Sequence, residues 1–178
     1  MRLKFAVYSL LVILVQPFIA ASDESPEYVL PYAENTKCKL LQGYNGPWGH
    51  EGHSAFAYDF QMPIGTPVHA AHSGKVVHIE ERFKDATRKP GEENVIVVMH
   101  EDGTYARYYH LTQNGASVEV GDQVKQNQHI GASGDSGASA GPHLHFDVTN
   151  DCFEWGCQTI EIRFKNTKDN PLKQGSTY

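Results

Sequence analysis

The chain has 178 residues, with 15 basic and 21 acidic side chains and a formal net charge of −6. That length accommodates one domain with a proper core and is too short to promise two. An acidic balance argues against a nucleic-acid partner, because neutralising phosphates requires a basic surface.

Residues 1–21 have the layout of a secretory signal peptide. Arg2 and Lys4 form a charged start, residues 5–15 an almost unbroken apolar run, and Ile19-Ala20-Ala21 a small-residue cleavage site. Gln16 and Pro17 interrupt the run, which falls short of the roughly 20 residues a bilayer span needs. No cysteine stands near the cleavage point, so a lipid anchor is not expected, and nothing later in the chain is apolar enough to span a membrane. The expected protein is exported, periplasmic or secreted, and monomeric. Loss of the leader makes it two charges more acidic.

Residues 22–35 read as an N-terminal arm, polar at first and carrying Pro26 and Pro31. Segments rich in β-branched and aromatic residues then recur between turn signals. The first is Ala55-Phe56-Ala57-Tyr58-Asp59-Phe60, ending at Met62-Pro63-Ile64-Gly65. Pro67-Val68-His69-Ala70-Ala71 follows, and Ser73-Gly74 turns into Lys75-Val76-Val77-His78-Ile79-Glu80. A charged loop at 81–93 contains Pro90-Gly91 and reads as a lip or a mobile segment. Residues 94–100 and 105–110 form a hairpin across Glu101-Asp102-Gly103. Further strands are expected at 128–132 and 144–148, and Ile160-Glu161-Ile162-Arg163-Phe164 alternates like a final edge strand. No long 3.6-period apolar stripe occurs, so helices should be few and short. The fold class is mainly β, a single antiparallel sheet or sandwich-like domain over 36–170, followed by a tail at 171–178.

Three cysteines are present. Cys152 and Cys157 flank Phe153-Glu154-Trp155-Gly156, and an oxidising compartment favours a loop disulfide between them. Two free thiols, or a bridge from Cys38 to one of the pair, are the alternatives. A cysteine-ligated zinc site is less expected, because no second cysteine pair is present.

Chemistry is concentrated in two clusters. In Gly141-Pro142-His143-Leu144-His145-Phe146-Asp147, two histidines one residue apart point to the same side of a strand. Neutral imidazole is the commonest protein metal ligand. The second cluster, residues 49–60, supplies His50, His53 and Asp59. A catalytic zinc site uses three N/O ligands and leaves a position for water. His145, Asp59 and one of His50 or His53 make such a set. His53 and Asp59 have the even spacing of one strand face. His50 needs an intervening bend, which Gly52 permits.

These residues carry a resemblance to the lysostaphin/LytM-type zinc metallopeptidases, peptidoglycan endopeptidases of the duplicated hybrid motif fold. The matching motifs are His50-Glu51-Gly52 with Asp59-Phe60, Gly65-Thr66-Pro67-Val68-His69-Ala70-Ala71-His72-Ser73-Gly74, Asn94-Val95-Ile96-Val97 and Tyr109-His110-Leu111. Val120-Gly121-Asp122-Gln123-Val124, Ile130-Gly131, and Gly134 leading to the His143-Leu144-His145 stretch complete them. The resemblance implies one Zn2+ per chain, with Asp59 and His145 as ligands and His143 and His110 catalytic. The compact family pattern is His-x-Gly-x-Asp, and here five extra residues precede the aspartate. The resemblance favours His50 as the first ligand, with His53 as the alternative.

The implied activity is hydrolysis of peptide bonds in peptidoglycan stem or cross-bridge peptides by an exported zinc metalloendopeptidase with a groove across its sheet. The alternatives are an inactive peptidoglycan-binding or amidase-activating module, and a secreted protease acting on glycine-rich proteins. His69, His72, His78, His100 and His129 lack carboxylates at ligand spacing and are read as surface or packing residues. Trp48 and Trp155 line a substrate groove or serve as packing anchors. Tyr108 and Tyr109 alternate faces, so at most one reaches the cleft. Ser136 and Ser139 sit in a glycine-rich loop open to contact with a substrate backbone.

Overall fold

Alternating apolar residues dictate which sheet face is buried. A computed structural model describes residues 27–178, so the signal-peptide expectation for 1–21 lies outside the described residues. Twelve strands follow in chain order: β1 (Glu27–Tyr28), β2 (Leu40–Gln42), β3 (Tyr58–Gln61), β4 (Pro67–His69), β5 (Gly74–Glu80) and β6 (Val95–Met99). They continue with β7 (Thr104–Tyr109), β8 (Leu111–Ala116), β9 (Gln123–Val124), β10 (His129–Ser133), β11 (His143–Asn150) and β12 (Arg163–Phe164). The only helical element among the described residues is a single 3-10 turn, Gly52–Ser54.

A seven-stranded sheet runs in the order β2-β3-β11-β7-β6-β5-β9, antiparallel throughout. A three-stranded antiparallel sheet, β4-β10-β8, packs with it, and β1 pairs with β12 in parallel. On the large sheet, Tyr58 and Phe60 of β3, Leu144, Phe146 and Val148 of β11, and Ala106 and Tyr108 of β7 are all buried in one core. The alternate residues of the same strands therefore face the other way. These are Asp59, His143, His145, Asp147, Arg107 and Tyr109.

Several expectations are corrected. The edge strand at 160–164 is reduced to Arg163–Phe164. The Tyr44 hydroxyl accepts from Ile162 N at 2.8 Å and donates to Ile162 O at 3.1 Å, so a side chain satisfies the backbone groups that a ladder would use. The described part of the arm, residues 27–35, packs onto the domain. Tyr28, Leu30 and Tyr32 alternate into the core, and Val29 N donates to Ala71 O. Residues 171–178 are likewise integrated: Leu172 is buried, and Cys38 N donates to Tyr178 O. The 81–93 loop is an anchored lip. Thr112 Oγ1 donates to Asp85 Oδ2 at 2.6 Å, and Arg88 bonds both Asp135 and Ser139 O. Strand β8, with its Thr-Gln-Asn-Gly run, has none of the alternation that marks a half-buried strand, and its existence rests on pairing with β10. The Cys152–Cys157 disulfide is present and Cys38 is free and buried. Among the described residues no helix is long and apolar enough to cross a membrane.

One packing histidine has a stability consequence. His100 is buried, its Nδ1–H donates to Ser73 O at 2.8 Å, and its Nε2 has no partner. Burial, aided by neighbouring His72 and opposed by the Ser73 bond and Asp102, pulls its pKa down to about 4. Below its ordinary value of 6.5 the unfolded chain takes up a proton that the fold refuses. Its contribution is therefore intact above pH 6.5, declines as pH falls toward about 4, and is constant below that. The span amounts to about 3 kcal/mol. Urea melts at pH 7 and pH 4.5 should show the stability gap between wild type and His100→Gln shrinking at the lower pH. A gap that is the same at both pH values refutes the assignment.

Candidate metal centre

The outward face of the large sheet assembles the site by register. His145 of β11 lies directly opposite Asp59 of β3 and opposite Tyr109 of β7, and Gln42 of β2 pairs with Asp59 from the far side. One row across four strands thus carries Gln42, Asp59, His145 and Tyr109. The next row pairs Asp147 with Arg107.

His50 joins from outside the sheet. Gly52 adopts φ +56, a left-handed conformation that suits glycine, and starts the 3-10 turn that folds the five-residue insertion out of the way. His50 is then returned to Asp59, with Nε2 at 3.2 Å from Oδ1. His53 is carried the other way, and its ring meets Trp155 edge-on at 5.1 Å. His50, Asp59 and His145 offer donor atoms that all lie within 4.8 Å of one another.

Surrounding groups orient these donors. The carbonyl of Gly43 only accepts, so His50 Nδ1 bears the hydrogen that bonds it at 2.9 Å, and Nε2 is left as a donor atom for an ion. His145 Nε2 bonds Asp147 Oδ2 at 3.1 Å, which aims Nδ1 at Asp59 Oδ1, 2.9 Å away. Gln42 Nε2 donates to the second Asp59 oxygen at 2.7 Å. Asp147 is gripped twice by Arg107, through Nε at 2.7 Å and Nη2 at 2.9 Å.

The electrostatics follow from this packing. Burial opposes ionisation of Asp59, yet the hydrogen bonds from His145 and His50 hold its carboxyl well below the usual range. Burial likewise opposes charging of His145, and the bonds to Asp147 and Asp59 prevail and raise it to about 9. Asp59 is thus held ionised, and the proton that His145 carries between two carboxylates is the one a bound cation would replace. Two imidazole nitrogens and one carboxylate oxygen, with support behind each, are the donor chemistry of an open zinc site.

Two more histidines stand beside the donors. His143 Nε2 is 3.8 Å from Asp59 Oδ1, and its Nδ1 faces Gly141 O at 2.8 Å and Ser139 Oγ at 3.2 Å. His110 packs against His143 with ring centroids 4.6 Å apart, and its Nδ1–H donates to Ser136 O at 2.8 Å. Burial first, then His143 and His145, push its pKa down to about 3. His110 has φ +62, where the chain leaves β7 of one sheet and enters β8 of another. A non-glycine residue held there is strained, and such strain clusters at functional sites.

The site lies in a groove of about 790 Å³ whose walls include Trp48, Glu93, Ala138, Pro142, Trp155 and Gln174. Both tryptophans are largely exposed and are not packing anchors. Tyr109 reaches the groove, while Tyr108 is buried on the opposite face with its hydroxyl accepting from Ala71 N. Ser136 and Ser139 are buried in the supporting network and are not open to a substrate backbone. His69 bonds Asn127 O and is not brought to the site. Gln42, Arg107 and the Gly43 carbonyl went unread in sequence. A period-two count from His145 and Tyr109 would have found Asp147 and Arg107, whereas nothing local marks Gln42.

Comparison with known proteins agrees with this geometry. The model of peptidase family M23 matches residues 53–155, so His50 lies just ahead of the matched segment. Lysostaphin of Staphylococcus simulans is 42% identical over 101 residues, 56% of this chain and 19% of that protein. The glycyl-glycine endopeptidase ALE-1 of Staphylococcus capitis is 38% identical over 108 residues, 60% of this chain and 28% of the relative. The peptidoglycan DD-endopeptidase ShyA of Vibrio cholerae is 38% identical over 90 residues, 51% of this chain and 19% of the relative. The matches thus span less than a third of these relatives. Among solved structures, lysostaphin superposes with a TM-score of 0.53 at 35% identity, covering 74% of this chain and 49% of that one. A zinc-containing peptidase of Vibrio cholerae gives a TM-score of 0.56 at 26% identity, covering 76% and 39%. With about three-quarters of its length covered by solved peptidases and more than half matched by the family model, the chain belongs to peptidase family M23.

Proposed function

We propose that this protein is an exported zinc metalloendopeptidase that hydrolyses peptide bonds in peptidoglycan stem or cross-bridge peptides, acting as a monomer. The observation that carries the reading is the open three-donor set of His50, Asp59 and His145 on the floor of a groove, with two further histidines facing it. The relatives named as glycyl-glycine and DD-endopeptidases support the substrate class.

His50 Nε2, Asp59 Oδ1 and His145 Nδ1 would hold the zinc ion. When bound, zinc supplies a Lewis acid that polarises the scissile carbonyl and brings the pKa of a water toward about 7. His143, with Nδ1 tied to Gly141 O, presents Nε2 to accept the water proton and return it to the leaving amine. His110 in its neutral tautomer also presents Nε2 as an acceptor, so it orients the water and does not donate to a developing oxyanion. Glu93, at the end of the lip, lines the groove.

The reading is tested by digesting purified peptidoglycan of defined cross-link type and determining the fragments by mass. The expected result is new N-termini at one bond, absent with a chelator and restored by zinc. Absence of zinc binding together with an undigested wall overturns it. Release of wall fragments only in the presence of an amidase assigns the chain instead to an activating role.

A further inference from the structure

The chain has two tryptophans, Trp48 and Trp155, and both are exposed, at 71% and 77%, on the walls of the same groove. Large indoles left in water beside an active centre are unusual, since aromatic area is normally buried in a core or an interface. What distinguishes these two is how each is seated.

Trp48 is fixed through its backbone by Gln42. The Gln42 Oε1 accepts from Trp48 N at 3.2 Å, and Nε2 donates to Trp48 O at 2.7 Å. The same Nε2 donates to Asp59 Oδ2 at 2.7 Å. Gly46 permits this approach, because a Cβ there would stand 2.7 Å from Gln42 Oε1. One amide therefore spans a groove wall and a member of the donor set.

Trp155, which also lines the groove, is fixed in a parallel way. It rides the loop closed by Cys152–Cys157, which covers the outward sheet face, with Phe153 packed on His78 and Tyr105. Arg107 lies beneath that loop, 1% exposed, and Nη1 donates to Glu154 O at 2.8 Å and more weakly to Phe153 O at 3.3 Å. Its remaining donors hold Asp147, which holds His145, and its guanidinium carbon lies 5.4 Å from the Tyr109 ring centroid. A buried guanidinium thus joins the Trp155 loop to another member of the donor set.

We propose that Trp48 and Trp155 are substrate-positioning jaws for an extended peptide crossing the groove, each seated by a polar side chain, Gln42 or Arg107, that also positions a metal ligand. The inference rests on the endopeptidase reading for the nature of the occupant. Gln42 and Arg107 are positioning residues: Gln42 bonds the ligand Asp59, Arg107 reaches the ligand His145 through Asp147, and both bond wall backbone, not substrate. A substrate pressed between the jaws bears on the two elements that hold Asp59 and His145 in place, so peptide affinity and metal affinity share supports.

Because both tryptophans line the groove, intrinsic fluorescence reports its occupancy without any turnover. The test titrates pentaglycine and a cross-linked D-alanyl stem-peptide dimer into chelator-treated protein and into zinc-loaded protein, following the emission maximum. One of the two peptides is expected to shift the emission in both forms. Trp48→Ala and Trp155→Ala, both exposed positions that leave the core intact, should each raise KM about tenfold with kcat changed less than about threefold. Trp→Phe at either position should recover most of the loss, and zinc affinity should be unchanged. Arg107→Lys keeps the charge but loses the fork, and should weaken both zinc affinity and peptide affinity by about tenfold. Cys152→Ser/Cys157→Ser frees the same loop at positions outside the main apolar cluster and should act in the same direction. If both alanine variants keep KM within twofold, the jaws are refuted. Zinc affinity unmoved in both Arg107→Lys and the cysteine double variant refutes the shared support. A wild-type protein that shifts its emission with peptide yet cleaves nothing keeps the jaws and overturns the endopeptidase reading instead.

Discussion

His145→Ala and His50→Ala are each expected to reduce zinc affinity by more than about 100-fold, beyond the range for residues that only support a ligand. Peptide hydrolysis at ambient zinc should fall at least about 1000-fold, because both the polarised carbonyl and the activated water depend on the ion. His53→Ala should leave zinc affinity within about twofold. The contrast arises from one turn. With Gly52 at φ +56, the chain brings His50 to 3.2 Å from Asp59 and directs His53 at Trp155. Competition with a chromophoric chelator, followed by hydrolysis assays at saturating zinc, checks both affinity and turnover. Loss of zinc in His53→Ala with retention in His50→Ala would reverse the assignment. Loss in neither would remove the donor set altogether.

The ease with which this site was read from sequence varied with the locality of each signal. His143 and His145 were legible because a strand repeats every two residues, and the same rule places Asp59 opposite His145 once β3 and β11 pair. The choice between His50 and His53 was not legible from strand spacing. Even spacing favours His53 for any regular strand, and a glycine-initiated 3-10 turn abolishes the strand between 52 and 57. Residues that act across long sequence separations were invisible for a different reason. Gln42 and Asp59 are 17 positions apart, and Arg107 and Asp147 are 40 apart, so only strand pairing brings them together. The packing of the arm was not legible either, because Phe164 of β12, which pairs with Tyr28, lies far along the chain.

His143→Ala is expected to lower kcat about 1000-fold with zinc still bound, and His110→Ala about ten- to 100-fold. The asymmetry follows from what lies behind each ring. His143 Nδ1 faces Ser139 Oγ at 3.2 Å, and that hydroxyl donates to the Asp135 carboxylate at 2.7 Å. A positive charge arriving on His143 is thereby met by an anion one hydroxyl away. Asp135 stays ionised: burial opposes this, and the bonds from Arg88 and Ser139 outweigh it. His110 has only the neutral carbonyl of Ser136 behind it and lies buried among other imidazoles, so it resists a proton down to about pH 3. It is suited to accepting a hydrogen bond from the attacking water and unsuited to removing the proton. Glutamine separates the two roles, since its carbonyl accepts a hydrogen bond but does not titrate. His110→Gln should therefore recover about tenfold over His110→Ala, whereas His143→Gln should be no better than His143→Ala. Single-turnover assays at saturating zinc measure the chemical step directly. Recovery by glutamine at 143 and not at 110 would exchange the two assignments.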